Sequence, residues 1–300
     1  MTILDTSDGP IVGGFQGEHA FCSNMHPCPV AIWVQPLGHE DRKQLFRERN
    51  PASGGHLPDE DLKPWVEAVN KRVAPVGLED ASQIQERLTQ GWRLLTFRSS
   101  EHIYQAIKII FFGCITGQET ASMYSSIERI PPRGSKVFAE DYLKQRLNAV
   151  GGLPPLIKQD LKKRRAHQSG GSWDAFRIAC MRHALHAKFM ASVSKAEAEA
   201  VFLEHSGAEA CESPSPTVPE LSTMASMQAI HQARRLKLSG DLLATGELPL
   251  VEVNHHKDIF FGATLEQGEP VGRNKLGSLL QECRGALALC AKPTMFCIKR

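Results

Sequence analysis

The sequence has no Cys-x-x-Cys pair, no apolar run of about 18 residues and almost no net charge, and each absence excludes a class of protein. Its eight cysteines (22, 28, 114, 180, 211, 283, 290 and 297) are scattered through 300 residues. That pattern fits reduced, mostly buried thiols better than a disulfide framework or a zinc site, so no metal is expected. Without a long apolar run no membrane span is expected. The opening "MTILDTSDGP" lacks the basic and apolar regions of a signal peptide, so an intracellular protein, cytoplasmic or nuclear, is anticipated. A formal net charge of +2 is too small for a dedicated nucleic-acid coat, although it tolerates an anionic ligand.

What is present is enough apolar material, 42% of residues, for one substantial core or two small ones, beside an ordinary 23% of charged residues. The densest basic run is "KQDLKKRR", Lys158 to Arg165. Such a run can touch phosphates or act as a nuclear address, but a solvated helix face or linker is its commoner use. No internal repeat is evident at a solenoid period.

From Ile11 to Val34, short apolar pieces alternate with Gly, Pro, Asn and Ser, as short strands and tight turns do. Residues 38–90 are polar and charged, with one amphipathic helix near Trp65 to Arg72, and read as an insertion rather than a second core. "WRLLTF", Trp92 to Phe97, predicts a strand, and Ser99 or Ser100 then caps a helix opening at Glu101. A second amphipathic helix is predicted from Trp173 to about Met190, with Ser172 as its cap. Residues 205–220, rich in Ser, Pro and Glu, predict a second inserted loop. Beyond it the chain predicts a helix from Leu221 to about Gly246, a strand "PLVEV", a polar loop "NHHKD", a glycine-spaced loop "FFGATLEQGEPVGRN" and a helix from Lys275.

Two constellations carry possible chemistry. On the helix after Ser100, Glu101, Gln105 and Lys108 lie at i, i+4 and i+7 and share one stripe, beside the imidazole of His102. The stripe is either a solvated face or a site, since polar groups on a buried helix need partners and a ligand is one such partner. A first-turn carboxylate meets the positive end of the helix dipole, which suits Glu101 to act as a base or electrostatic stabiliser. Lys108, if desolvated, would become a nucleophilic amine. The second constellation is "LVEVNHHKDIFFG", where Glu252 and Asp258 could divide the holding of a cation and the movement of a proton. His255 and His256, adjacent in a loop, point apart and make a poor metal pair. In "GEPVGRNKLGSLL", Gly272 permits close approach and Asn274 can cap the final helix. The first N–H groups of that helix, with Arg273 beside them, could hold a phosphate.

These pieces, in this order, resemble the NADAR family, also called YbiA-like. "FQGEHAFCSNMHPCPV" is similar to the family's opening F-S-N-F-P block, "SSEHIYQAIK" to its S-E-H-x-x-Q-A-x-K, and "SWDAFRIACMRHALHAKF" to its W-x-x-x-R-x-x-M-x-x-A-L-x-x-K-F helix. "LLATGELPLVEVNHHKDIFFG" and "GRNKLGSLLQECR" resemble its two closing motifs.

The resemblance implies a single α+β, predominantly helical YbiA-like domain over residues 11–290. It would carry short strands and the insertions at 38–90 and 205–220, with 1–10 and 291–300 as terminal segments. It implies cleavage of an N-glycosidic bond to a phosphorylated ribose without a cofactor. The family acts on ADP-ribosylated guanine in nucleic acid or on early riboflavin-pathway intermediates, and the first is favoured here for the extra surface of 38–90 and the basic run. A module that binds ADP-ribose without turnover is the further alternative. Carried onto this chain, Glu101, Lys108, Asp258 and Glu252 are the catalytic candidates. Phe21, Ser23, Asn24, His102, Gln105, Trp173, Phe261, Gly262, Arg273 and Asn274 are the substrate-binding candidates. The chain departs from the pattern at Met25, at Phe261 where the family has tryptophan, and in the segment ahead of Trp173.

Such a reaction leaves positive charge on the sugar, so the site needs a carboxylate beside C1 and a proton source for the departing nitrogen. In one expected scheme Glu101 stabilises the developing cation or orients water while Asp258 or Glu252 handles a proton. In the other, Lys108 captures ring-opened ribose as a Schiff base. Trp173 is expected either to stack on the base or to be a core residue in its helix's first turn, and Arg273 to hold a diphosphate.

Overall fold

A computed structural model describes residues 3–15, 17–41, 45, 62–77, 79–149, 172–190, 221–254 and 258–291. The basic run Lys158 to Arg165, the loop 205–220 and the pair His255 and His256 lie outside them. The architecture is α+β and mainly helical, with three small sheets among the described residues. It falls into two compact units: Asn24–Lys188 with Ser192–Ala233, and Met1–Ser23 with Phe189–Ala191 and Arg234–Arg300.

The larger unit is organised by a sheet of order β4-β3-β5, from β3 (Val30–Val34), β4 (Val73–Pro75) and β5 (Arg93–Phe97). β3 reads "VAIWV", and all five residues are buried, as an unbroken apolar run demands of a central strand. It pairs antiparallel with β5 from Val30↔Phe97 to Val34↔Arg93, and with β4 from Ile32↔Pro75 to Val34↔Val73. Pro75 suits an edge strand because it has no N–H to donate. The Tyr124 hydroxyl occupies backbone groups of β5, donating to Thr96 O at 2.7 Å and accepting from Thr96 N–H at 3.3 Å.

Four helices follow the sheet's strands or flank them: α1 (Lys63–Arg72), α2 (Ala81–Thr89), α3 (Ser100–Ile107) and α4 (Gly117–Ile127), with α5 (Pro132–Ala149) next. The second half of the expected insertion at 38–90 packs into the core of this unit. Leu62, Trp65 and Val69 are fully buried, β4 belongs to the sheet, and Ile84 of α2 packs with Trp33, Val76 and Met224 in one apolar cluster. Its composition is polar because α1 and α2 each bury only a narrow stripe and leave their charged residues outside. Glu79 ties this region down, accepting from Trp33 Nε1 at 2.8 Å and pairing with Arg87 at 2.6 Å, while the Arg87 guanidinium lies over the rings of Trp33 and Trp92.

α3 begins where sequence predicts, with Ser99 in extended conformation accepting from His102 N–H. It passes directly into a π-helical turn, Lys108–Phe112, and every residue from Ser99 to Ile115 is buried. α6 (Ser172–Phe189) and α7 (Leu221–Ala244) also match their predicted positions.

In the smaller unit, β1 (Ile3–Thr6) pairs antiparallel with β2 (Gly9–Gly13), which pairs in parallel with the two-residue β6 (Leu250–Val251). A 3₁₀ helix, Gly17–Cys22, follows β2. Ile11, Val251 and Ala263 form its apolar centre with Leu4 and Val253. The expected glycine-spaced loop is instead a hairpin of β7 (Thr264–Glu266) and β8 (Glu269–Val271). Its turn residues Gln267 and Gly268 both have positive φ, as a tight hairpin requires. α8 (Lys275–Ala291) closes the unit against β6.

Among the described residues no helix is long and apolar enough to cross a membrane. Cys22, Cys114, Cys180 and Cys283 are buried and Cys28 is partly buried.

Candidate functional site

The polar stripe of α3 is buried, which removes the solvated-face reading. Glu101 is 3% exposed, and both carboxylate oxygens accept from neutral amides: Oε2 from Asn24 Nδ2 at 2.5 Å and Oε1 from Gln105 Nε2 at 2.6 Å. Accepting at both oxygens is the role of an ionised carboxylate. The Gln105 amide is used at its other end too, Oε1 accepting from Lys108 Nζ at 3.2 Å. The result is one chain of side chains, Asn24–Glu101–Gln105–Lys108, running along two turns of helix. Asn24 is locked in register by its carbonyl, which accepts from Glu101 N–H at 2.8 Å and from Ser100 Oγ at 3.1 Å.

Lys108 is 9% exposed and stands at the junction where α3 becomes π-helical. Such turns widen the helix by a residue and occur often at functional sites, because they redirect a side chain without breaking the backbone ladder. The ammonium lies 4.9 Å from the centre of the Tyr104 ring and 6.0 Å from that of Trp173. Ring faces carry partial negative charge and help to hold a cation away from water. Trp173 belongs to an aromatic cluster: Phe112 meets it edge-on at 5.1 Å, Phe176 lies at 5.5 Å and 32°, and Trp65 is 6.5 Å from Phe112. Burial pushes the Cys180 thiol well up, with Lys108 opposing it, so this thiol stays protonated and inert.

His102 takes a different role from the one expected. Its Nε2 lies 2.7 Å from Ile130 O and its Nδ1 2.9 Å from Ser99 Oγ, so both ring nitrogens are committed to protein partners. A carbonyl can only accept, which places the proton on Nε2 and leaves Nδ1 to accept from the serine hydroxyl. Burial lowers the pKa of this imidazole; the Ile130 carbonyl opposes the shift and Arg98 adds to it. His102 therefore fixes the start of α3 rather than offering a nitrogen to a ligand.

The remaining candidates belong to the smaller unit. Asp258 Oδ1 accepts from the N–H groups of Phe260 and Phe261 at 3.1 and 3.2 Å, while Asn254 bonds Asp258 N and O through its amide. This carboxylate shapes the loop. Gly262 has no room for a side chain: a Cβ would meet Glu252 O at 2.5 Å and also the Asn254 amide. Glu252 follows β6, its N–H donating to Asn274 Oδ1 at 3.1 Å and its O accepting from Ala263 N–H at 2.8 Å. Phe261 is buried edge-on against Phe260, over which the Arg273 guanidinium lies at 4.9 Å. Phe21 meets Phe189 edge-on at 6.4 Å, and Ser23 N–H donates to Ala20 O at 3.0 Å.

Two expectations at α8 are corrected. The Asn274 side chain does not cap the helix: with a left-handed backbone, φ 43°, it spans to β6, donating to Leu250 O at 2.8 Å. The phosphate cradle is filled by the chain itself. Arg273, Asn274, Lys275 and Leu276 donate their N–H groups to the carbonyls of Ile259, Gly262, Phe260 and Phe261. The first turn of α8 thus anchors the loop after Asp258.

Sequence reasoning placed Glu101, Gln105 and Lys108 on one stripe, and the fold adds Asn24 and Trp173 to them. It missed Tyr104 and the donor role of Asn24, 77 residues from its partner. No group of three or more His, Cys, Asp or Glu is placed to hold a metal ion among the described residues. Compared with protein-family models, curated proteins and solved structures, the chain matches none.

Proposed function

We propose that this chain is an N-glycosidase, built on a YbiA-like domain, that hydrolyses the ribose C1–N bond of ADP-ribosylated guanine in nucleic acid. The observation that carries the reading is the buried chain Asn24–Glu101–Gln105–Lys108 beside Trp173. A carboxylate held by two neutral amides keeps its charge available to a cation forming at C1, with little reorganisation. In the proposed reaction the C1–N bond breaks, water oxygen bonds to C1 and the departing base takes a proton. Glu101 stabilises the sugar cation and orients the water. Lys108 is the ammonium able to hand over the proton, or, as the free amine, to hold ring-opened ribose as a Schiff base before water releases it.

The test is incubation with an oligonucleotide carrying ADP-ribosyl-guanine and, separately, with the phosphoribosylamino-pyrimidine intermediate of riboflavin synthesis. Release of ADP-ribose with restoration of unmodified guanine is expected. Turnover of the pyrimidine alone would overturn the substrate, and tight binding of ADP-ribose without turnover would overturn catalysis. Borohydride added during turnover separates the two schemes, because only a Schiff base is reduced to a permanent adduct on Lys108.

A further inference from the structure

Trp173 is 7% exposed, and its indole Nε1 is buried with no hydrogen-bond acceptor among the described residues. A buried N–H without an acceptor is costly, and native structures rarely tolerate one. The rest of the ring is already used. Phe176 lies against it at a shallow angle, Phe112 meets it edge-on and the Lys108 ammonium stands 6.0 Å from its centre. Stacking on a nucleobase would need a face that these neighbours crowd, whereas the N–H edge still lacks its partner.

We propose that Trp173 recognises the ligand by donating a hydrogen bond from its indole N–H to a ligand oxygen, rather than by stacking. Lys108 lies beside it, another donor with no accepting capacity of its own. Two donors side by side, one charged, select an oxygen-rich, acceptor-bearing group such as a ribose phosphate or a ring carbonyl over an amine or an apolar surface. This rests on the reading of the Glu101 pocket as a ribosyl site and names the group within it that senses the ligand.

The experiment uses the whole protein labelled with ¹⁵N in its tryptophans and ADP-ribose as the probe. Four indole signals are expected, from Trp33, Trp65, Trp92 and Trp173. Trp33, whose N–H already donates to Glu79 at 2.8 Å, serves as the internal control. On adding ADP-ribose the Trp173 indole proton should move downfield and exchange more slowly with solvent, while Trp33 stays in place. Trp173→Phe assigns the signal and keeps an aromatic ring while removing the donor. It should weaken ADP-ribose about tenfold, equivalent to about 1.4 kcal/mol. 1-Methyltryptophan at position 173, which preserves the ring but not the N–H, should reproduce the loss.

A Trp173 signal that stays in place while ADP-ribose binds, or undiminished affinity with 1-methyltryptophan, would overturn the proposal even if hydrolysis is found. A shifted Trp173 signal without hydrolysis would uphold it while sinking the catalytic reading. Absence of ADP-ribose binding would overturn both.

Discussion

The two units each hold a buried or half-buried carboxylate, and they use it in opposite ways. In the smaller unit Asp258 spends Oδ1 on two backbone N–H groups, and Asn274 bonds to the backbone of Leu250 and Glu252. These side chains hold the path of a loop. In the larger unit Glu101 accepts from the side-chain amides of Asn24 and Gln105, and the chain continues through Gln105 to Lys108. A backbone-bonded carboxylate replaces missing secondary structure, which every irregular loop needs. A side-chain relay inside an already complete helix does nothing for the backbone, and on the proposed reading its buried charge serves a ligand. On the proposed reading, the difference separates a structural carboxylate from a functional one.

That contrast can be broken most sharply at Glu101. Glu101→Gln keeps the shape and should lower single-turnover hydrolysis of ADP-ribosyl-guanine by about 1,000-fold while the melting temperature changes little. An equal loss from Asp258→Asn, with stability intact, would sink the distinction. Gly262→Ala should destabilise the smaller unit by about 3 kcal/mol, read from denaturant midpoints, because a Cβ would press on Glu252 O and the Asn254 amide. Asn274→Gly tolerates the left-handed backbone but deletes the bonds to Leu250 and Glu252, and should cost about 2 kcal/mol by the same measurement.

The smallest effect concerns pH. Burial first, then His186 and Arg182, push the His183 pKa from 6.5 down to about 4. The folded state therefore binds this proton less readily than the unfolded one. Stability from His183 should be complete above pH 6.5 and decline as pH falls toward about 4. His183→Gln should flatten that decline in a series of melts, and an unchanged slope would assign the acid sensitivity elsewhere.

Much of the helical skeleton was legible because it is written in local periodicity. The cap at Ser99, the stripe of Glu101, Gln105 and Lys108, and the helices after Lys63, Ser172 and Leu221 all follow from spacings within a few residues. The core packing of residues 62–90 was not legible because a narrow buried stripe on α1 and α2 leaves composition polar while Trp65 and Ile84 reach the core. The hairpin of β7 and β8 was hidden because its three-residue strands are too short to show alternation.

The candidate site divides along the same line. Sequence by itself determined which side chains share a face of α3, since a helix of 3.6 residues per turn leaves no choice. Only the tertiary structure decided that this face is buried, that Asn24 is its distant partner and that Trp173 brings an indole N–H with no acceptor among the described residues. It also decided that the first turn of α8 is filled by its own loop rather than open to a phosphate. Hydrogen bonds of that kind depend on distance in space, which a pattern along the chain does not encode.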